Sequence, residues 1–116
     1  MAPPSKLAVA IGSVTRLVKE EASYHKELVQ QEERIKKLEA SEGDENKEYT
    51  LRQEKQALQE TQNVLPAIRT RIEQAVEKLE EQLESRKEAG GDASSEEVKK
   101  AEDAIAAGKK VVAEGS

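Results

Sequence analysis

The chain has no cysteine, no tryptophan and no phenylalanine, and two tyrosines make up its entire aromatic content, 2% of 116 residues. Without cysteine there is neither a disulfide nor thiolate chemistry, which fits a reducing compartment. Without aromatic bulk the core must be thin and aliphatic, as in a bundle whose helices touch along lines. There is one histidine, His25, so no second imidazole completes a metal site, and zinc would need carboxylates around that single ring. The spacing places His25 at the margin of an apolar stripe beside Tyr24, partly buried. No phosphate-cradling loop is present: Gly90-Gly91 has no strand before it and no Lys-Ser/Thr after it.

Charge of one sign is also lacking. Lys and Arg number 19 against 24 Asp and Glu, a net charge of −5, and no segment departs strongly from balance. A duplex nucleic-acid binder would show a basic excess on one face. No apolar run approaches the length needed to span a bilayer. The stripes also lack the bulky apolar faces bordered by Lys and Arg that seat a helix on a lipid surface. Met1-Ala-Pro-Pro-Ser5 has neither the basic nor the apolar region of a signal peptide. Carboxylate pairs such as Glu32-Glu33 and Glu80-Glu81 read as solvated faces of charged helices, with Glu32 attracting Lys36 four residues on. The expectation is therefore a protein that is not an enzyme. It should use no cofactor or metal and bind neither nucleic acid nor membrane.

What is present is periodicity. Leu51, Leu58, Leu65, Ile72 and Leu79 recur every seven residues, with Thr61, Ile68 and Ala75 on the intervening step. That alternation is the seam of a helix packed along its length against other helices. Pro66 sits in its middle. It has no N–H for the Gln62 carbonyl, a loss of roughly 3 kcal/mol in a helix interior. The repeat keeps its phase across the proline and no turn-forming residues accompany it, so a bend is expected in preference to two separate helices.

Before this helix, Leu7, Val14, Leu28 and Ile35 form one apolar track, and Ala10, Leu17, Tyr24 and Leu38 form another. Glu21 and Gln31 are polar slots in that seam, of the kind that specify register. Ser5 is the expected N-cap, and Gly43 the residue for a left-handed closure after the helix. Asp44 or Asn46 can cap the next helix. After Gly90-Gly91, a capping box from Ser94 to Glu97 opens a third, weaker stripe of Val98, Ala101, Ile105 and Val112, interrupted by Gly108.

The expected fold is all-α, an up-down-up three-helix bundle with left-handed coiled-coil-like packing and a second helix bent at Pro66. Residues 1–4 form a disordered tail and 5–113 the bundle. The helices fall at about 5–41, 46–89 and 94–113, and 114–116 form a frayed end. Pro66, Tyr24, Leu17, Leu58, Leu65 and Ile72 are the structural positions, with Tyr24 assigned to the core.

Several segments resemble the tubulin-binding cofactor A family. They are Arg16-Leu-Val-Lys-Glu20, Tyr24-His-Lys-Glu27 and Gln30-Gln-Glu-Glu33 in the first helix. In the second they are Gln53-Glu-Lys-Gln-Ala-Leu-Gln-Glu60, Leu65-Pro66 and Arg71-Ile-Glu-Gln-Ala75. Their order and spacing match over roughly residues 7 to 85. The resemblance implies a tubulin-folding cofactor that holds quasi-native β-tubulin after its release from the cytosolic chaperonin. It would then pass β-tubulin to other tubulin-folding cofactors for heterodimer assembly. It also implies a cytoplasmic, cytoskeleton-associated location and no nucleotide hydrolysis.

Carried over by motif position, Arg16, Lys19, Glu20, Glu27, Glu32 and Glu33 on the first helix are the expected β-tubulin contacts. Gln59, Glu60 and Arg71 are those on the second. A monomer is favoured over a homodimer. A generic coiled-coil adaptor or oligomerisation module remains the competing reading, for which heptads and charge alone suffice.

Overall fold

The computed structural model describes residues 5–43, 45–88 and 95–115. Three helices account for nearly all of them: α1 (Lys6–Ala40), α2 (Lys47–Glu88) and α3 (Ser95–Gly115). The chain forms an all-α three-helix bundle, and no strand occurs among the described residues. The N-terminal tail, Asp44, the Gly90-Gly91 break and the Ser94 half of the capping box lie outside the described residues.

Ser5 caps α1 as expected. Its extended backbone turns the chain into the helix, and its Oγ accepts the Ala8 N–H at 3.0 Å. The same hydroxyl donates to Glu97 Oε1 at 3.0 Å, which ties the first turn of α3 to the start of α1. The other end of α1 departs from expectation. The helix closes on Ser41 in an extended conformation, and Gly43 is not in the left-handed region. The last carbonyls find other donors instead. Ser41 Oγ donates to Leu38 O at 2.8 Å, and Lys47 Nζ reaches back to Ser41 O at 2.6 Å. The Lys47 stem lies over Gly43, where any β-carbon would collide with it. Asn46 immediately precedes α2, its carbonyl accepting the Thr50 N–H at 2.9 Å.

α2 is a single helix of 42 residues that runs unbroken through Pro66. At 1.5 Å per residue it is about 63 Å long. It therefore spans nearly the whole 68 Å long axis of the molecule. The radius of gyration is 19.9 Å, against about 13 Å for a compact domain near this size. Pro66 faces solvent, and so does Gln62, whose carbonyl lost its donor. Water can therefore satisfy that carbonyl.

Two ion pairs mark the antiparallel register of α1 and α2. Arg34 Nε lies 3.9 Å from Glu54 Oε2, and Arg69 Nε lies 3.5 Å from Glu21 Oε2. α3 runs alongside α1 from the Ser5 end and stops at Arg69, whose Nη1 donates to Gly115 O at 3.4 Å. The helix thus continues two residues past 113, to a docked last turn.

The bundle has two unlike halves. Leu7 and Val14 of α1, Ile68 to Leu83 of α2, and Ala101 and Ala104 of α3 make one buried cluster. Beyond Glu21 and before Arg69, only α1 and α2 remain paired. There Leu28, Leu38, Leu51 and Leu58 are half-buried, and Val29 and Tyr49 are exposed. The sequence seam holds in both halves: Leu65 and Ile72 are buried, Leu17 and Tyr24 half-buried.

Gly108 is not an interruption. It is buried in the α3 seam, and a β-carbon there would sit 2.5 Å from Val76 Cγ2 and 3.4 Å from Ile72 Cγ2 and Val14 Cγ1. Ala101, Ala104 and Gly108 make α3 slim where α1 and α2 are bulky, so it packs close.

Candidate functional site

The α1–α2 pair offers two flanks, and α3 covers one of them. On the other flank a groove of about 960 Å³ runs along both helices and holds no residue of α3. Its side walls come from Lys6 to Glu20 on α1 and from Arg71 to Gln82 on α2. Its floor is built of small or half-buried groups: Ala10, Ser13, Leu17 and Ala75. The reason is local to the sequence. On the covered flank α1 and α2 carry Val14, Ile72 and Val76, whereas on the open flank the matching turns carry alanine and serine. Val9, 55% exposed, stands on its rim.

All nine motif-matched side chains are exposed. Arg16, Glu20 and Arg71 meet at one end of the groove. Arg16 and Glu20 continue with Lys19, Glu27 and Tyr24 into a shallower hollow of about 400 Å³ on the outer side of α1. Five of the nine residues therefore form one continuous patch. Tyr24 is half-buried and does two things: it packs on the core cluster and it lines the hollow.

Glu32, Glu33, Gln59 and Glu60 are not part of this patch. They lie on the two-helix half, where Glu32 begins five residues beyond Glu27, about 8 Å further along α1 at 1.5 Å per residue. The register sets these two pairs within about a turn of each other. Gln59 Nε2 is engaged along its own helix, donating to Asn63 Oδ1 at 3.1 Å.

The electrostatics of the patch follow from what is unpaired. Among the described residues no carboxylate lies within 4.0 Å of the Arg16, Lys19 or Arg71 cations. These charges are held close by the two helices and left to solvent. The expected attraction between Glu32 and Lys36 is likewise not made at that distance. His25 is exposed and not at a half-buried margin; at 100° per residue it has rotated one step past Tyr24 into solvent.

The polar seam residues are buried. Glu21 is 8% exposed and Gln31 4%, and Gln31 Oε1 has no hydrogen-bond partner. Arg69 Nε is close enough to Glu21 for charge attraction but lacks hydrogen-bond geometry. Arg69 carried no signal in the sequence, since it falls just beside the heptad positions; only its meeting with Glu21 across the seam shows its part. Groove residues Val9, Ser13 and Gln74 were missed for a related reason, because small and polar residues on a stripe's flank have no period of their own. Among the described residues there is no group of three or more His, Asp or Glu side chains placed to hold a metal ion. No described helix is long and apolar enough to cross a membrane.

Residues 2–105 match the family model for tubulin binding cofactor A. Tubulin-specific chaperone A of Mus musculus is 37% identical over 83 residues, covering 72% of this chain and 74% of the mouse protein. The Homo sapiens protein of that name is 36% identical over the same length and coverage. The Saccharomyces cerevisiae one is 30% identical over 82 residues, 71% of this chain and 76% of its own. No solved structure matches the chain at a significant level.

Proposed function

This chain belongs to the tubulin binding cofactor A family, and from that membership we propose that it is a tubulin-folding cofactor. In this reading it binds quasi-native β-tubulin released from the cytosolic chaperonin. It then yields that subunit, through other tubulin-folding cofactors, for assembly with α-tubulin. It acts in the cytoplasm beside the cytoskeleton, as a monomer, and catalyses no reaction.

One observation carries the proposal beyond the family name: every motif-matched side chain is exposed, and five of them share one patch. A holding protein must cover a client firmly and still let go. Exposed charges on long helices suit that task. Each such contact contributes about 0–1 kcal/mol and is screened by salt, so many weak contacts add up to reversible capture. The elongated 68 Å frame spreads them over a wide surface.

Light scattering of the pure protein with and without free β-tubulin tests the reading. The expected result is a 12.8 kDa monomer that shifts to a one-to-one complex. Self-association with no shift on adding β-tubulin would favour the coiled-coil oligomerisation module instead.

A further inference from the structure

We infer that the open α1–α2 groove seats a single amphipathic helix of the client, with that helix's carboxylates turned to Arg16 and Arg71. The inference rests on the tubulin-cofactor reading and gives that reading a place and a shape.

The packing of α3 is the template. On the covered flank, the ridge-and-groove surface of two antiparallel helices receives a third helix that is slim along its seam, at Ala101, Ala104 and Gly108. The open flank presents the same pair of helices with the sizes reversed. Its floor of Ala10, Ser13 and Ala75 is small, with Leu17 the one large residue in it, so over most of its length a helix with large side chains fits where a slim one would leave voids. The groove extends over 15 residues of α1, Lys6 to Glu20. At 1.5 Å per residue this is about 22 Å, or four turns of an occupant. An extended strand would leave its backbone hydrogen bonds unmade against two helices whose own are already satisfied. A helix brings its own.

Charge sets the occupant's chemistry and direction. Around the end near Lys6, Lys78 stands with Glu77 and Glu81, and the signs cancel. At the other end Arg16 and Arg71 face Glu20 alone, with no ion pair formed among the described residues. An Arg fork takes a carboxylate by two parallel hydrogen bonds. The matching occupant is therefore an amphipathic helix that is acidic at the end reaching Arg16 and Arg71.

The absence of cysteine from the chain makes the test direct. Ser13→Cys on the groove floor and Ala107→Cys on the exposed side of α3 each receive a photo-crosslinking maleimide and are irradiated with β-tubulin. The expected adduct forms at least tenfold more at position 13, and mass spectrometry places it on a helix of β-tubulin carrying carboxylates. A second arm measures β-tubulin binding by unlabelled Arg16→Glu/Arg71→Glu and Lys99→Glu/Lys110→Glu variants, the second pair lying on the exposed side of α3, away from the groove. The first pair should weaken binding at least tenfold and the second by less than threefold, with helicity unchanged in both.

Adducts at 107 but not at 13, adducts on a loop or strand, or equal losses from the two charge pairs would overturn the groove while leaving the cofactor reading intact. If the unmodified chain fails to bind β-tubulin in the same experiment, both readings fall together.

Discussion

Glu21 of α1 and Arg69 of α2 face each other at 3.5 Å across the seam, at the height where α3 ends. Arg69 also holds the last turn of α3 through the Gly115 carbonyl, where the negative end of the helix dipole favours a cation. One guanidinium therefore marks the junction between the three-helix and two-helix halves.

Replacing Arg69 by Met leaves Glu21, 8% exposed, without its counter-charge. Breaking a fully buried pair costs about 3–5 kcal/mol; here the Arg69 side chain retains 21% of its exposure, so a loss of roughly 1–3 kcal/mol is expected. The double variant Glu21→Leu/Arg69→Met should recover most of that loss in urea unfolding, because removing both charges removes the penalty. Amides in the last turn of α3 should exchange faster in both variants, since Gly115 loses its donor in each. Strictly additive stability changes would mean that the pair is not coupled.

Gly12 and Gly108 look alike in the sequence and should respond oppositely. A β-carbon at Gly12 meets nothing within 4 Å, so Gly12→Ala should gain about 1 kcal/mol in helix propensity. That corresponds to a rise of about 4 °C in the thermal midpoint. At Gly108 the same methyl would lie 2.5 Å from Val76 Cγ2. Repacking then costs about 1–3 kcal/mol, which cancels or exceeds the propensity gain. Thermal melts followed by circular dichroism separate the two, and equal stabilisation would refute the close approach of α3.

Gln31 is buried with its Oε1 unpartnered. Gln31→Leu removes an unmet acceptor and should stabilise the hairpin by about 1–3 kcal/mol. It also removes a polar residue from a seam that no third helix covers, and such residues restrict pairing partners. A higher midpoint together with concentration-dependent self-association by light scattering is expected. A stabilised variant that stays monomeric would show that Gln31 does not limit assembly.

The seam was legible because its large residues repeat: Leu65, Ile72 and Leu79 fall where a period of seven puts them, and all are buried. Glu21 and Gln31 were legible as interruptions of that period. Gly108 was misread because a glycine that weakens a helix and one that admits a neighbour are the same letter; Val76, 32 residues earlier, decides between them. Gly43 invited a left-handed closure that Ser41 and Lys47 made unnecessary. The exposure of the nine motif-matched residues could be read from the helix faces they occupy. Which of them share a patch could not, because that depends on the flank α3 covers. The small seam of Ala101, Ala104 and Gly108, the feature that lets α3 pack so close, is the faintest of the three stripes.

Pro66 remains the most informative residue to change. It stands inside an unbroken helix, and both Pro66 and Gln62, whose carbonyl lost its donor, are exposed residues. The usual helix-interior penalty of about 3 kcal/mol is therefore softened by water. Proline also restricts the unfolded chain, which returns about 0.4–1 kcal/mol. Pro66→Ala should still raise stability, by about 1–2 kcal/mol, or some 4–8 °C in a thermal melt. We propose that the proline bends α2 so that its two halves wrap the bundle and shape the groove flank. In that case the stabilised variant should capture β-tubulin more weakly than the unaltered chain, measured at equal concentration. A variant that is both more stable and equally able to capture β-tubulin would reduce Pro66 to a matter of packing. If capture is lost, stability has been exchanged for the shape of the binding face.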